Sequence, residues 1–254
     1  MTVRNKEQMI LDALERDQIV YTIRLAEELD ASEATIRRTL IKLEQEGKLR
    51  RILGGAALSS GSHIRTEDEP FMSQRSAIHP IEKRLAAERA AELVQDGDYV
   101  FLDGGSSTAP MMEHLKSRPI TIVTNNHLAL SCLDEATKAS VITIGGTYIP
   151  RYSMSAGTDA LRQMEPFSFD LCFLSCIGAD LSEDMSYTTE TATMEIKKRA
   201  FGNSRKSVLL LDTSKIGLRG FCKLSPLSSF DTIFCAGPDA PEHIPGNMIF
   251  LPTD

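Results

Sequence analysis

The sequence predicts an α/β protein in two unequal parts, a small helical module followed by a larger domain built on a mainly parallel sheet. Three observations predict it. Residues 1–55 carry apolar residues at helical spacing with caps and a short turn; from Pro80 onward strand-like apolar runs alternate with helical ones; and the charge divides at the same place. Of the 254 residues, the first 55 hold ten Lys or Arg and ten Asp or Glu, so the formal net charge of −7 belongs to the remainder.

The first helix is expected over KEQMILDALE, with Met9, Ile10, Ala13 and Leu14 as its apolar side. Thr22 is expected to cap a second helix over IRLAEEL. Asp30-Ala31-Ser32 then supplies a tight turn, with Ser32 capping a third helix from Glu33 to about Glu46 and Gly47 ending it. Two short helices joined by a three-residue turn make a helix-turn-helix, whose second member is the one that reads a duplex. At roughly 100° per residue, Ile36, Leu40 and Leu43 fall on one face for packing, while Ala34, Thr35, Arg38 and Lys42 fall on the opposite side, where they can enter a major groove. Arg37 lies on a flank within reach of a phosphate, and residues 48–52 are expected to form a β wing in which Lys48, Arg50 and Arg51 touch the adjacent backbone. Ile41 belongs cleanly to neither face. The module being neutral overall, affinity for double-stranded DNA has to come from this localised patch, doubled by dimerisation onto two half-sites. A module used only for protein contacts is the alternative, and the agreement of caps, turn and both faces argues against it.

Residues 58–79 are small, polar and weakly periodic, as expected of a linker between a 1–57 head and an 80–254 body, although Pro70 and Phe71 have the character to pack on the latter. In the body, a helix is expected over IEKRLAAERAAELV, a strand at YVFL, a short helix after Pro110 and a strand at ITIV. Strands follow at VITI, LCFLSCI, SVLLLD, DTIFC and MIFL, with helices near 126–134, 157–164 and 190–203. The five cysteines are odd in number, lie mostly in apolar runs and form no pair of CxxC motifs, so they read as reduced thiols with no metal site. The N-terminal stretch has no continuous apolar core of a signal peptide and no segment approaches a membrane span, which predicts a cytoplasmic protein with no membrane partner.

DGGSSTAP, residues 103–110, follows a strand and precedes a helix. Gly104 and Gly105 allow close approach, Ser106, Ser107 and Thr108 offer hydroxyls and N–H donors, and Pro110 suits a helix start, so the segment fits an anion such as a phosphate, helped by the positive end of the helix dipole. It is neither a P-loop nor a GxGxxG turn, and such residues also make ordinary turns. TNN at 124–126, GG at 145–146 and GAD at 178–180 stand at other strand ends, which in an open parallel sheet converge on one crevice. The expected lining is Asp103 and Asp180 as acceptors for sugar hydroxyls, Thr124 and Asn125 as polar contacts, Gly145, Gly146 and Gly178 at close approaches, and Lys215 or, less directly, Lys198 as countercharge. Each lysine can equally be a solvated surface charge, and Asp103 can bind a neighbouring backbone N–H.

SEATIRRTLIKLEQEGKLRRILGGA resembles the N-terminal signature of the DeoR family of bacterial transcriptional regulators, and EPFMSQR, DGDYVFLDGGSST, TIVTNN, GGTYIPRYSMSAG and DTSKIG follow in that family's order. Thr39 stands where the family is commonly acidic, Leu53 where His is frequent, and the tail is short. The resemblance implies a body similar to ribose 5-phosphate isomerases and glucosamine 6-phosphate deaminases and a phosphorylated sugar or related metabolite as effector; the expected protein is a winged helix-turn-helix repressor, dimeric or tetrameric, without a cofactor. An isomerase or deaminase with a DNA-binding appendage is the competing reading, but no lysine precedes Gly145-Gly146 as in the isomerase pattern, and a duplex reader has no purpose in a plain enzyme. A regulator controlled by a protein partner is the third.

Overall fold

In the computed structural model, residues 3–17, 19–46, 48–52, 54–57, 63–64 and 69–253 are described. The head comprises α1 (Val3–Asp17), β1 (Ile19–Tyr21), α2 (Thr22–Glu28), α3 (Glu33–Gln45), β2 (Arg50–Ile52) and β3 (Gly55–Ala57). Ile10, Leu14, Leu25, Ile36, Leu40 and Leu43 are buried together where the three helices meet, so the expected apolar faces are the packed ones. Ser32 caps α3, its Oγ accepting from the Thr35 N–H at 3.2 Å. The expected stop at Gly47 lies outside the described residues.

Thr22 does not act as a cap. It is the first residue of α2, it is buried, and its N–H donates to the Gly54 carbonyl at 2.7 Å; Tyr21 occupies the cap position with no side-chain bond. The reason is β1, which pairs antiparallel with β3 (Ile19↔Ala57, Tyr21↔Gly55), as does β2 (Arg50↔Ala57, Ile52↔Gly55). The wing is therefore a three-stranded sheet in the order β1-β3-β2, and its backbone supplies the partner a capping hydroxyl would have supplied.

Part of the segment expected as linker is built into the body. Strand β4 (His63–Ile64) pairs with β14 (Arg219–Gly220), Glu69 is buried, and α4 (Met72–Ser76) buries Met72 and Arg75. The Phe71 N–H donates to Gln74 Oε1 and the Met72 N–H to the Arg151 carbonyl at 2.8 Å, which fixes the start of this helix.

The rest of the body runs α5 (Pro80–Ala91), β5 (Tyr99–Leu102), α6 (Met111–Leu115), β6 (Thr121–Thr124), α7 (His127–Leu130), β7 (Ser140–Thr143), the hairpin β8 (Thr147–Ile149) and β9 (Met154–Ala156), α8 (Thr158–Met164) and β10 (Phe169–Ser175). Then come β11 (Gly178–Asp180), β12 (Met185–Thr188), α9 (Thr191–Gly202), β13 (Ser204–Asp212), the 3₁₀ turn Thr213–Lys215, β14, β15 (Cys222–Lys223), β16 (Thr232–Gly237) and β17 (Met248–Pro252). Seven of the strands form one parallel sheet in the order β17-β16-β13-β10-β5-β6-β7.

Period-two alternation places both cores. Val100, Leu102, Leu171, Phe173, Val208 and Leu210 face the layer that includes α5 and α6, whereas Phe101, Cys172, Leu174, Leu209 and Leu211 face α8 and α9. Each fully buried Leu or Phe contributes roughly 1.5–3 kcal/mol, enough to hold the sheet between helices on both sides. The strand order reverses direction between β5 and β10: the chain first builds outward from β5 to β7, then returns to the other side of β5. Ligands of open parallel sheets sit at the carboxyl ends of strands at such a reversal. Asp103 follows one of these two strands and Ser175 ends the other.

Candidate nucleic-acid interface and effector site

On α3, Ser32, Ala34, Arg37, Arg38, Ile41 and Lys42 are exposed or partly so, Thr35 is half-buried, and Thr39 is buried with its hydroxyl donating to the Thr35 carbonyl at 3.0 Å. The side carrying Ala34, Arg38 and Lys42 is thus open to a duplex. Cations of α3 and the wing are tethered: Arg37 pairs with Glu33 at 2.8 Å, Lys42 with Glu7 at 2.7 Å, Lys48 with Glu46 at 2.6 Å and Arg51 with Glu44 at 2.7 Å. The hydrogen bond from Lys42 to Glu7 raises the pKa of Lys42 above its ordinary value. Arg38 instead turns its Nε to its own helix, on the Ala34 carbonyl at 3.3 Å, leaving its guanidinium facing outward without a carboxylate partner among the described residues. The side chain of Arg50 lies outside the described residues.

Head and body face each other across a cleft of about 680 Å³. Ile23, Ile41 and Phe71, all exposed, line it together with Arg37, Arg51 and Arg151. Ile41, which the helical wheel leaves unassigned, lies here.

The second site stands at the reversal of the sheet. Residues 103–109 are all buried. The carbonyls of this loop are turned into the protein: that of Asp103 accepts from Thr108 Oγ1 (2.7 Å) and Asn126 Nδ2 (2.9 Å), and that of Gly105 accepts from Thr108 Oγ1, Asn126 Nδ2 and the Ala109 N–H. The N–H groups of residues 104–108 have no acceptor among the described residues. An unsatisfied N–H in a buried residue is costly unless something accepts from it, so this loop, a cradle of five consecutive donors without partners among the described residues, offers itself to an acceptor. Gly105 is required by close approach, because a Cβ there would lie 1.9 Å from Ser175 Oγ.

Three buried lysines cluster about Asp103 and Asp212 beside this loop. Lys215 Nζ donates to Ser107 Oγ at 2.8 Å and lies 3.6 Å from Asp212 Oδ2. Burial alone would raise the Asp212 carboxyl, but Lys215, His79 and Lys83 outweigh it and hold its pKa below the ordinary value. Lys83, 3% exposed, donates to the Ile78 and Arg75 carbonyls, and burial, reinforced by Lys215, lowers its pKa to about 7. Lys197 donates to Asp103 Oδ2 and to the Ser175 carbonyl, and Ser175 Oγ and N–H donate to the same carboxylate oxygen. Beyond Lys197, Glu69 pairs with Arg75 at 2.7 Å and accepts from Tyr152 and Thr189. Asn125 donates to the Ser155 carbonyl, while its buried Oδ1 has no partner among the described residues.

Residues 6–61 match the family described as the DeoR-like helix-turn-helix domain, and residues 78–236 match the DeoR C terminal sensor domain. The chain belongs to the DeoR family. Among its relatives, an uncharacterized HTH-type transcriptional regulator of Bacillus subtilis, YulB, is 33% identical over 227 residues, 89% of this chain and 86% of the relative. The L-fucose operon activator of Haemophilus influenzae is 27% identical, covering 90% of each chain, and the lactose phosphotransferase system repressor of Lactococcus lactis is 26% identical, covering 96% of this chain and 95% of its own. A ribose 5-phosphate isomerase of Methanocaldococcus jannaschii is similar over 54% of each chain, at 16% identity and a TM-score of 0.39, too distant to bear on function. The protein is therefore a transcriptional regulator of the DeoR family, with a DNA-binding helix-turn-helix head and a sensor body; among the described residues no helix is long and apolar enough to cross a membrane.

Within this DeoR-family body, the cradle residues Asp103, Gly104, Gly105, Ser106, Ser107 and Thr108 lie together with Lys215, and Asn125 lies nearby. Others stand elsewhere. Lys198 is exposed on α9; the helix turns Lys197, its neighbour, inward. Asp180 belongs to the small sheet β11-β12-β15, where Oδ1 accepts from the Ser182 and Glu183 N–H groups and Oδ2 from Arg219 at 2.7 Å, so it is already saturated. Gly178 answers to packing, with the Leu218 carbonyl 2.2 Å from a Cβ built there. Gly145 and Gly146 follow the edge strand β7, two strands and about 10 Å from the reversal, and the Gly145 N–H is taken by Gln163. Thr124 spends its hydroxyl on the Leu102 carbonyl and the Asn126 N–H. The helix after Pro110 is α6, only five residues long, so the N–H cradle rather than a helix dipole provides the positive potential. Sequence reasoning assigns no role to Asn126, Lys197, Lys83, Glu69 or Arg75: the two lysines are ordinary helix residues in sequence, whereas Asn126 in TNN and Glu69 and Arg75 at the ends of EPFMSQR stand in quoted motifs whose contacts are long-range.

The cysteines are free, with Cys172, Cys176, Cys222 and Cys235 buried. Burial pushes the thiols of Cys172 and Cys235 up to about 12 and that of Cys176 to about 11, which keeps them protonated and inert. Among the described residues no group of His, Cys, Asp and Glu is arranged to hold a metal.

Proposed function

We propose that this regulator is a cytoplasmic repressor of a carbohydrate catabolic operon, that it binds operator DNA as a dimer or tetramer through α3, and that a phosphorylated sugar in the 104–108 cradle sets its operator affinity. The observation that carries the reading is the run of five N–H groups, in buried residues and without acceptors among the described residues, at the reversal of the sheet, with Lys215 held against Ser107. A phosphate fits this arrangement because it accepts several hydrogen bonds at once and compensates the cations crowded around it. Asn125 Oδ1 and the Glu69 and Asp103 carboxylates supply acceptors for hydroxyls on the rest of the sugar.

On α3, Arg38 is the base reader, with Ser32, Ala34, Thr35 and Lys42 on the same side and Arg37, Lys48, Arg50 and Arg51 as backbone contacts. Four of these cations are held by carboxylates of the same head, so one head alone presents little free charge; two heads on paired half-sites supply what one lacks. The named functions of the lactose repressor and fucose activator support a sugar-linked operon, and the former supports repression.

The test is a panel of sugar phosphates assayed in parallel for saturable thermal stabilisation and for release of an operator selected from random duplexes. One compound is expected to do both, and Ser107→Asp, which places a like charge in the cradle, is expected to abolish both responses to it. Stabilisation that survives Ser107→Asp counts against the cradle.

A further inference from the structure

The wing is seated on the body. One apolar cluster is shared between them, with Tyr21, Ile52 and Ala57 of the head sheet buried against Ile177, Tyr187 and Leu218 of the body. Strand β2 also packs directly on the 3₁₀ turn Thr213–Lys215. That turn has two faces: Lys215 reaches Ser107 of the cradle on one side, and the backbone supports the wing on the other.

The three body residues of the cluster are each close in sequence to the cradle. Ile177 is two residues beyond Ser175, which holds Asp103; Leu218 is three beyond Lys215; Tyr187 is two before Thr189, which bonds Glu69. Two or three residues span no more than about 7–11 Å, so a shift at the cradle end of any segment has little chain in which to dissipate. The segments are also tied to one another. The Ile177 N–H donates to the Tyr187 carbonyl at 2.9 Å, the Gly217 N–H donates to the Ala179 carbonyl at 2.7 Å, and Ala179 and Ile216 form a parallel bridge. Packing at Gly178, against the Leu218 carbonyl, leaves no room for independent sliding.

We infer that the turn Thr213–Lys215 and the bonded unit carrying Ile177, Tyr187 and Leu218 are the mechanical link through which the cradle controls the wing. The inference rests on the reading that an anion occupies residues 104–108. Such an anion competes with Ser107 for Lys215, and drawing Nζ from Ser107 moves the turn on which β2 rests. The wing and the helix-turn-helix then change position together, since β1 and β3 share the head's sheet and the first N–H of α2, that of Thr22, donates to the Gly54 carbonyl. A two-state element biased from both sides is what coupling between distant sites requires.

The test is amide hydrogen exchange on the full chain. Without ligand, Lys215→Met and the milder Ser107→Ala are each expected to speed exchange in residues 49–52 by about fivefold or more, the lower end of ordinary coupling, while exchange in α1 and α5 stays unchanged. Ile52→Ala is expected to speed exchange in residues 213–218 in return. With saturating inorganic phosphate, residues 104–108 of the wild type are expected to gain protection and residues 49–52 to respond; Leu218→Ala keeps the first effect and loses the second. Failure of phosphate to protect 104–108 overturns the anion reading, and the ligand-free comparison still decides the link. Unchanged exchange at 49–52 in both Lys215→Met and Ser107→Ala, or an acceleration spread evenly over the chain, overturns the link itself.

Discussion

Lys197 of α9 and Asp103 at the end of β5 form an ion pair in which the side chains retain only 6% and 1% of their exposure. The pair fixes the start of the cradle loop from the opposite layer of the body, with Ser175 bonded to the same carboxylate oxygen.

Removing one member leaves the other charged and unpaired in the interior. Lys197→Met is therefore expected to destabilise the body by about 3–5 kcal/mol, read as a fall in the urea midpoint. Adding Asp103→Asn to that variant is expected to recover part of the loss; no recovery would mean that Lys197 acts through packing alone.

Arg38→Ala is expected to weaken binding to a selected operator by about 1–3 kcal/mol while leaving affinity for unrelated duplex nearly unchanged. Fluorescence anisotropy on both duplexes separates the outcomes. Equal losses on the two would make Arg38 a phosphate contact.

Lys42 is held by Glu7 at 2.7 Å. Glu7→Gln removes the nearer of the two carboxylates at Lys42, leaving Glu46 at 3.7 Å, and is expected to raise duplex affinity, steepening the log–log dependence on salt by about 0.9 for each additional phosphate neutralised. An unchanged slope in a salt titration would show that Lys42 stays off the backbone.

Burial lowers Lys83 to about 7. Between that value and the ordinary lysine range the unfolded chain carries the proton and the folded chain does not, so stability rises with pH, by up to about 1.4 kcal/mol per unit. The penalty is complete below pH 7 and recedes above it. Denaturant melts of wild type and Lys83→Met at pH 6 to 9 are expected to show the wild type gaining on the variant as pH rises; parallel curves would contradict a neutral buried amine.

What the sequence discloses follows the range of the forces involved. The helix-turn-helix is legible because Ile36, Leu40, Leu43 and the Ser32 cap are local signals, and the strands 99–102, 171–175 and 207–212 because alternation in a two-sided core writes itself as an apolar run. Strand β1 escapes because three residues carry no period, and with it goes the reason Thr22 cannot cap. The cradle loop is visible in its glycines and hydroxyls. The lysine of α9 that turns inward is one residue off, Lys197 in place of Lys198, since only the rotation of α9 against β10 decides which one is buried. Glu69 and Arg75 stand at the ends of EPFMSQR, which the family's order marks although its composition reads as a linker, and burial there depends on partners such as Tyr152 and Thr189 far along the chain.

The neutral head and the body that holds the whole acid excess give the molecule a preferred way of meeting a polyanion. A duplex drawing near the acidic body meets like charge over a Debye length of about 8 Å, and an approach from the side of the neutral head avoids that repulsion. Orientation on DNA is in this way selected before any base is read, at the encounter rather than in the final complex, and lowering the ionic strength sharpens the selection as much as it strengthens the grip.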